Sequence, residues 1–394
     1  LQSEREYLPE LLTAAYLHIP FCRRRCAYCD FAISLGTEAL IERYVGELLR
    51  EIAATPIRSQ QLQTVFFGGG TPSLLSVAQM ERLLQALHLR FGIAADAEIS
   101  IEANPGTVTV ETLSGYRAAG VNRVSLGVQA FQPELLSLCG RDHTVAEIYE
   151  AVEALAQAGI PNFNLDLISG LPQQTISHWQ DSLAALIAIA PSHVSIYDLT
   201  IEQGTAFGRR YQPGDQPLPS DEATVEMYGL ARETLVAAGY EHYEISNYAR
   251  PGFRCRHNQV YWRNQPYYGL GMAATSYVDR RRIDRPRKLH DYFAWVDQLA
   301  KAPEAFLESF ATTQPLDELV DTLILGLRLQ EGLSLTKLRE RFGAEQVGQV
   351  LACLERYQRQ GWVQVTEDRL RLSDPEGFLF CNTVLVALMQ HLGA

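Results

Sequence analysis

Cys22, Cys26 and Cys29 spell Cys-x3-Cys-x2-Cys directly after the short apolar run Tyr16-Leu17-His18-Ile19-Pro20-Phe21. Cysteine thiolates are the usual ligands of iron–sulfur clusters, and a cubane takes four. The motif supplies three. One iron of a [4Fe–4S] cluster held here would be left open for a substrate. The same residue types also allow zinc, with His18 or an Asp as fourth ligand. A disulfide framework fits poorly, because seven cysteines is an odd count, the chain is long and no spacing recurs.

Other polar residues punctuate apolar runs further along. Gly68-Gly69-Gly70-Thr71-Pro72-Ser73 follows Thr64–Phe67. Glycines there let a backbone approach a ligand closely, or simply turn tightly into a helix. Glu102 ends the run Glu98–Glu102, Gln129 follows Arg123–Val128, and Asp166 lies inside Asn162–Ile168. Arg141 follows in Cys139-Gly140-Arg141-Asp142-His143. A lone Gln or Asp in a strand is ordinarily a satisfied core group. An ordered series offers more: a guanidinium for a carboxylate, and amide or carboxylate partners for hydroxyls.

These residues need a scaffold that brings them together. Strand-like runs (Ala15–Ile19, Thr64–Phe67, Glu98–Glu102, Arg123–Val128, Asn162–Ile168, His193–Leu199) alternate with amphipathic stretches (Leu40–Ala53, Val77–Leu89, Val110–Ala119, Val145–Gln157, Trp179–Ile189, Asp221–Ala238). Gly120, Gly159 and Gly239 stand where helices should end. Repeated βα units predict an α/β fold with a parallel sheet. Six units make a partial (β/α)6 barrel, two short of the closed form, with functional residues at the C-terminal strand ends. The pattern changes after Gly239, where a strand His242–Ile245 leads into the polar, aromatic stretch Asn247–Gly271. The expected division is a barrel domain over residues 1–300, a linker over 301–316 and a small α+β unit over 317–394. That last unit's order of three helices, a hairpin and a final helix resembles a winged helix.

The net charge is −12, which argues against bulk nucleic-acid binding. No apolar run reaches the about 18–20 residues of a membrane span. No secretory signal is read at the start of the listing, and free thiols fit the reducing cytoplasm. One segment departs from the acidic average. Between Arg250 and Lys288 lie nine arginines and one lysine, opposed by Asp279 and Asp284. This is either a solvated loop or a local site for anions.

Together the cysteine motif and glycine segment resemble the radical S-adenosylmethionine (SAM) proteins. The likeness is to the branch containing oxygen-independent coproporphyrinogen III oxidases and their heme-chaperone relatives, and it covers nearly the whole chain. It implies a radical SAM barrel with a [4Fe–4S] cluster on Cys22, Cys26 and Cys29 and SAM on the open iron. It implies that Tyr16 and Phe31 lie by the cluster and SAM. Gly69, Gly70 and Thr71 would line the methionine, Arg141 the carboxylate, and Gln129 and Asp166 the ribose, with Glu102 in the same pocket. Three features separate the chain from the oxidases and favour the chaperones. Phe31 stands where the oxidases carry a further cysteine. Only 21 residues precede Cys22 in the listing, where the oxidases have a long arm. His257-Asn258-Gln259-Val260-Tyr261-Trp262 matches the chaperones' His-Asn-x-x-Tyr-Trp motif.

The resemblance thus implies heme as a third cofactor, with His257 as axial ligand and Cys255 as its rival. Tyr261 and Trp262 would stack on the macrocycle and nearby arginines pair with its propionates. The structural alternative is that this segment closes the barrel's open side and His257 is bonded within the core. Expected partners are heme, heme-acceptor proteins such as respiratory proteins at a membrane surface, and an electron donor such as flavodoxin or ferredoxin. The competing functions are coproporphyrinogen III oxidation in porphyrin biosynthesis and, from the winged-helix-like tail, RNA modification. That tail's acidic residues argue against RNA.

Overall fold

The computed structural model describes residues 12–393. Each expected strand is present, several of them longer than the apolar run that announced it. They are β1 (Leu12–Ile19), β2 (Ser59–Gly69), β3 (Ile93–Ala103), β4 (Arg123–Gln129), β5 (Phe163–Ser169) and β6 (His193–Asp198). They pair in that order, all parallel. A helix follows each strand: α1 (Glu38–Ala54), α2 (Val77–Phe91), α3 (Val110–Ala119), α4 (Val145–Ala158), α5 (Ile176–Ile189) and α6 (Asp221–Ala237). Capping boxes start α2 at Ser76 and α4 at Thr144, where side chains satisfy otherwise orphaned N–H groups. Gly120 and Gly159 close α3 and α4 in the left-handed conformation.

Three short strands extend the sheet to nine. β7 (Glu241–Glu244) and β8 (Asn247–Ala249) add antiparallel at the β6 edge. Tyr268–Leu270, here β9, adds parallel to β1. The two outer strands do not pair, so the sheet stays open.

Alternation along the strands divides two environments. Leu17, Val65, Ile101, Leu126, Leu165 and Val194 join Leu48, Leu83, Tyr116, Leu155 and Leu186 of the helices in one buried core. Each such aliphatic side chain contributes about 1.5–3 kcal/mol by leaving water. The opposite face is polar: Glu98, Ser100, Glu102, Arg123, Ser125, Asn164, Asp166, His193 and Ser195. Complete barrels fill this space with branched apolar residues. Here hydrogen bonds do the tying. Asn164 Nδ2 donates to Ser125 Oγ at 2.6 Å, and the His193 ring bridges Asn164 Oδ1 and the Tyr243 hydroxyl, each at 2.7 Å.

The C-terminal residues have their own core, centred on Leu319, Leu323, Leu354, Val384 and Leu388. Helix Pro315–Gly326, strand Leu333–Ser334, helices Leu335–Phe342 and Ala344–Arg359, and the hairpin Val363–Val365 with Arg369–Leu372 follow the order of a winged helix. The stretch expected as a linker is structured. It holds helix Pro303–Glu308, whose Phe306 ring meets Trp295 edge-on at 5.3 Å. Apolar spacing too short to read as a helix still packs when a large ring is close by.

Of the two readings of Arg250–Lys288, the anion site is narrowed, because the chain supplies carboxylates to five of the ten basic residues. Arg254 pairs with Glu241 at 2.9 Å and Arg285 with the fully buried Glu51 at 2.8 Å. Arg263 reaches Glu331 at 3.0 Å, Arg280 reaches Glu318 at 2.9 Å, and Arg282 reaches Asp321 at 2.5 Å. The last three join the basic segment to the acidic C-terminal unit. The basic segment and the acidic C-terminal residues thus pair with each other along a partly exposed seam.

Candidate cofactor site

β1 delivers the chain into the cysteine loop, and backbone bonds pin that loop over the strand ends. Ala27 N–H donates to Cys139 O at 2.8 Å, and Phe207 N–H donates to Ala27 O at 2.8 Å. The glycine segment is stitched to the loop's root by Gly70 N–H to Ile19 O at 2.9 Å and Thr71 N–H to Phe21 O at 2.7 Å. Cys22, Cys26 and Cys29 are free, half-buried thiols on the wall of one cavity of about 410 Å³. Thr71 Oγ1 donates to Cys22 Sγ at 3.6 Å, and Arg141 Nη1 to Cys26 Sγ at 3.3 Å. Burial pushes the Cys22 thiol up to about 11, with Thr71 opposing. Among the described residues no three Cys, His, Asp or Glu side chains converge on a single point at metal-ligating distance. The donor set is nonetheless that of a cubane with one iron left over: three thiols face a shared space, and buried Cys139 and Cys255 do not line it.

His18, the candidate fourth zinc ligand, points elsewhere. Its ring lies between the Tyr16 hydroxyl at 3.0 Å and Ala32 O at 3.1 Å.

Gly69, Gly70, Thr71, Glu102, Gln129, Arg141 and Asp166 all line the thiol cavity. The glycines answer first to the protein's own packing. Gly69 has φ +114°, and a Cβ there would lie 2.5 Å from the His18 ring. At Gly70 it would lie 2.7 Å from Phe21 O. The Gly69 N–H donates to Glu102 Oε2 at 2.9 Å. Burial and the negative charge of Asp166 push the Glu102 carboxyl up to about 7. Asp166 is also raised by burial, against hydrogen bonds from Ser195, Asn164 and Ser125. Two carboxyls poised this way favour a cationic ligand between them.

Gln129 reaches the cavity through a kink. The β4–β5 register shifts between Gly127 and Gln129, and Gln129 has φ +71°, a left-handed conformation costly for a residue with a Cβ. Arg141 sits behind it, with Nη2 donating to Asn104 Oδ1 at 2.6 Å and to Gly127 O at 2.7 Å. Its buried Nε has no partner among the described residues. Asn104, Ser125 and Tyr197 also line the cavity and were not singled out from the sequence. Period-two spacing from Glu102, Gly127 and Ser195 was the available signal.

One expected residue lies apart. Tyr16 lines a neighbouring cavity rather than this one, whereas Phe31 lines both, with 61% of its surface exposed. His257 is further removed. It is the second residue of α7 (Arg256–Trp262), whose first N–H groups are held by Glu98: Arg256 N–H at 2.9 Å and His257 N–H at 3.0 Å. The His257 ring is completely buried, with Nδ1 2.8 Å from Thr64 Oγ1 and Nε2 2.8 Å from the Tyr261 hydroxyl. It stacks on Phe66 at 5.2 Å, and burial holds its pKa down at about 3. With both nitrogens occupied and no open face, it is not presented as a heme ligand. Cys255 is no better, being buried with its thiol pushed up to about 12. The structural alternative for this segment describes the geometry: α7 packs on the sheet's inner face and fills the barrel floor. His257→Ala would open a hole there and orphan two hydroxyls, so a loss of about 3 kcal/mol is expected. An unchanged thermal midpoint would contradict this role.

Comparison with known proteins agrees with this architecture. The radical SAM superfamily profile matches residues 16–186, and the HemN C-terminal domain profile matches residues 314–380. The solved radical SAM coproporphyrinogen III oxidase HemN of Escherichia coli superposes with a TM-score of 0.83. That match covers 98% of this chain and 91% of HemN at 24% identity, and so speaks for the fold. The heme chaperone HemW of Synechocystis is 44% identical over 96% of this chain and 97% of its own length. HemW of Bacillus subtilis is 32% identical over 97% of this chain and 100% of its own. Superfamily membership implies a [4Fe–4S] cluster and SAM, and the three-thiol cavity has the donors for both. With two such relatives aligned from end to end, the chain belongs to the HemW family of radical SAM proteins.

Proposed function

We propose that this chain is a heme chaperone: a radical SAM iron–sulfur protein that binds heme and passes it to acceptor proteins. The observation that carries the reading is the 44% identity to a heme chaperone along both whole chains. The thiol cavity supports it. In this reading Cys22, Cys26 and Cys29 hold the cluster, which when bound offers an open iron to the amino and carboxylate groups of SAM. The other residues orient SAM. Arg141, on the cavity wall, meets the carboxylate through its guanidinium, and Gln129 and Asp166 take ribose hydroxyls. Glu102 holds the Gly69 backbone in place and, with Asp166, offsets the ligand's positive charge. Leu199, Thr200 and Glu202, after β6, complete the cavity wall opposite the cysteine loop.

Coproporphyrinogen oxidation is the reading this one displaces, because Phe31 occupies the position of the oxidases' additional cysteine. Anaerobically reconstituted protein should bind about one heme per chain, seen as a Soret band. With SAM and a reductant it should release no carbon dioxide from coproporphyrinogen III. Absence of heme uptake together with multiple-turnover carbon dioxide release would replace the chaperone by the enzyme.

A further inference from the structure

A second cavity of about 400 Å³ adjoins the cofactor cavity and shares Asp30 and Phe31 with it. Its volume falls in the range of small-molecule sites. Tyr16, Tyr261 and Tyr267 give it aromatic walls, and Tyr261 meets Tyr267 edge-on at 4.7 Å. At the rim stands Arg287, exposed, with Nη2 on Asp30 O at 3.2 Å. Among the described residues Arg287 has no carboxylate partner, unlike its neighbours Arg282 and Arg285. Phe31 leaves a large apolar ring in water at the boundary between the cavities. A flat ligand beside it would cover that ring.

Aromatic walls, an exposed ring to stack on and an unpaired guanidinium at the rim together call for a planar, apolar body with an anionic edge. Heme has that form. We propose that heme sits in this second cavity, with its macrocycle between Phe31 and the Tyr261–Tyr267 pair and a propionate on Arg287. The proposal rests on the heme-binding reading above and gives that ligand a place. It moves the site from buried His257 to the open wall formed by the same helix, where Tyr261 is the contributing residue. It also puts heme and SAM on opposite sides of one side chain, Phe31.

The test is a Soret titration of the cluster-reconstituted full chain with hemin and with hemin dimethyl ester, whose propionates are uncharged. Arg287→Ala should weaken hemin binding at least tenfold and ester binding less than twofold, with iron content and SAM binding unchanged. Phe31→Ala should weaken both ligands. Arg256→Ala, an exposed arginine on the barrel floor bonded to Asp96 O, should change neither. If wild type binds hemin and both Arg287→Ala and Phe31→Ala bind it equally well, this seat is wrong and the chaperone reading survives. Heme loss that comes only with loss of iron also overturns the seat. If wild type takes up no heme at all, the functional reading fails and the seat falls with it.

Discussion

Cys22→Ala protein, reconstituted anaerobically with iron and sulfide, is expected to hold no stable [4Fe–4S] cluster, where wild type holds about four irons per chain. Among the described residues no further thiol or imidazole is free at the cavity to replace it. Cys139 is buried behind the loop, Cys255 lies on the barrel floor, and His18 is engaged by Tyr16 and Ala32. Cys22 also accepts from Thr71 Oγ1 of the glycine segment, so its loss removes that side-chain contact as well. Cys353→Ala and Cys381→Ala, both in the C-terminal unit, should keep full iron content. Wild-type iron and sulfide in Cys22→Ala would remove the cluster assignment.

Arg141→Ala is expected to weaken SAM binding by about 1.5–3 kcal/mol, or about 10- to 150-fold, the cost of a lost charge-assisted contact in a buried site. The side chain does more than meet the ligand. It ties Cys26 Sγ, Asn104 and Gly127 O together, so the alanine variant should also lose some cluster. Affinity must therefore be measured per reconstituted cluster, by equilibrium dialysis or calorimetry. Arg141→Lys keeps the charge but cannot reach three partners and a carboxylate at once, so it should recover only part of the loss. Unchanged SAM affinity per cluster in Arg141→Ala would refute its role.

Periodicity and spacing carried most of the fold. Alternating apolar runs and capped amphipathic stretches marked all six βα units, since each burial pattern is local to its own strand or helix. The cavity was legible because its residues stand at strand ends, where a parallel sheet must gather them. Tertiary effects were not legible. Nothing local to His257 says that Thr64 and Tyr261 will take both its nitrogens, for the first contact is 193 residues away. The arginine run could be read as a solvated loop or an anion site, because its carboxylate partners, Glu318, Asp321 and Glu331, lie in another unit. The glycine triplet reads as a ligand cradle or a tight turn, and close packing on His18 and Phe21 already demands glycine at Gly69 and Gly70.

Heme delivery is tested most directly by the rate at which an apo-acceptor, such as an apo b-type cytochrome, gains its heme spectrum from heme-loaded protein. That rate should rise with acceptor concentration, because transfer passes through a complex of the two proteins. It should also exceed the rate at which a heme scavenger strips the donor. A rate that stays flat at the scavenger value means that heme merely dissociates, and would contradict the chaperone function.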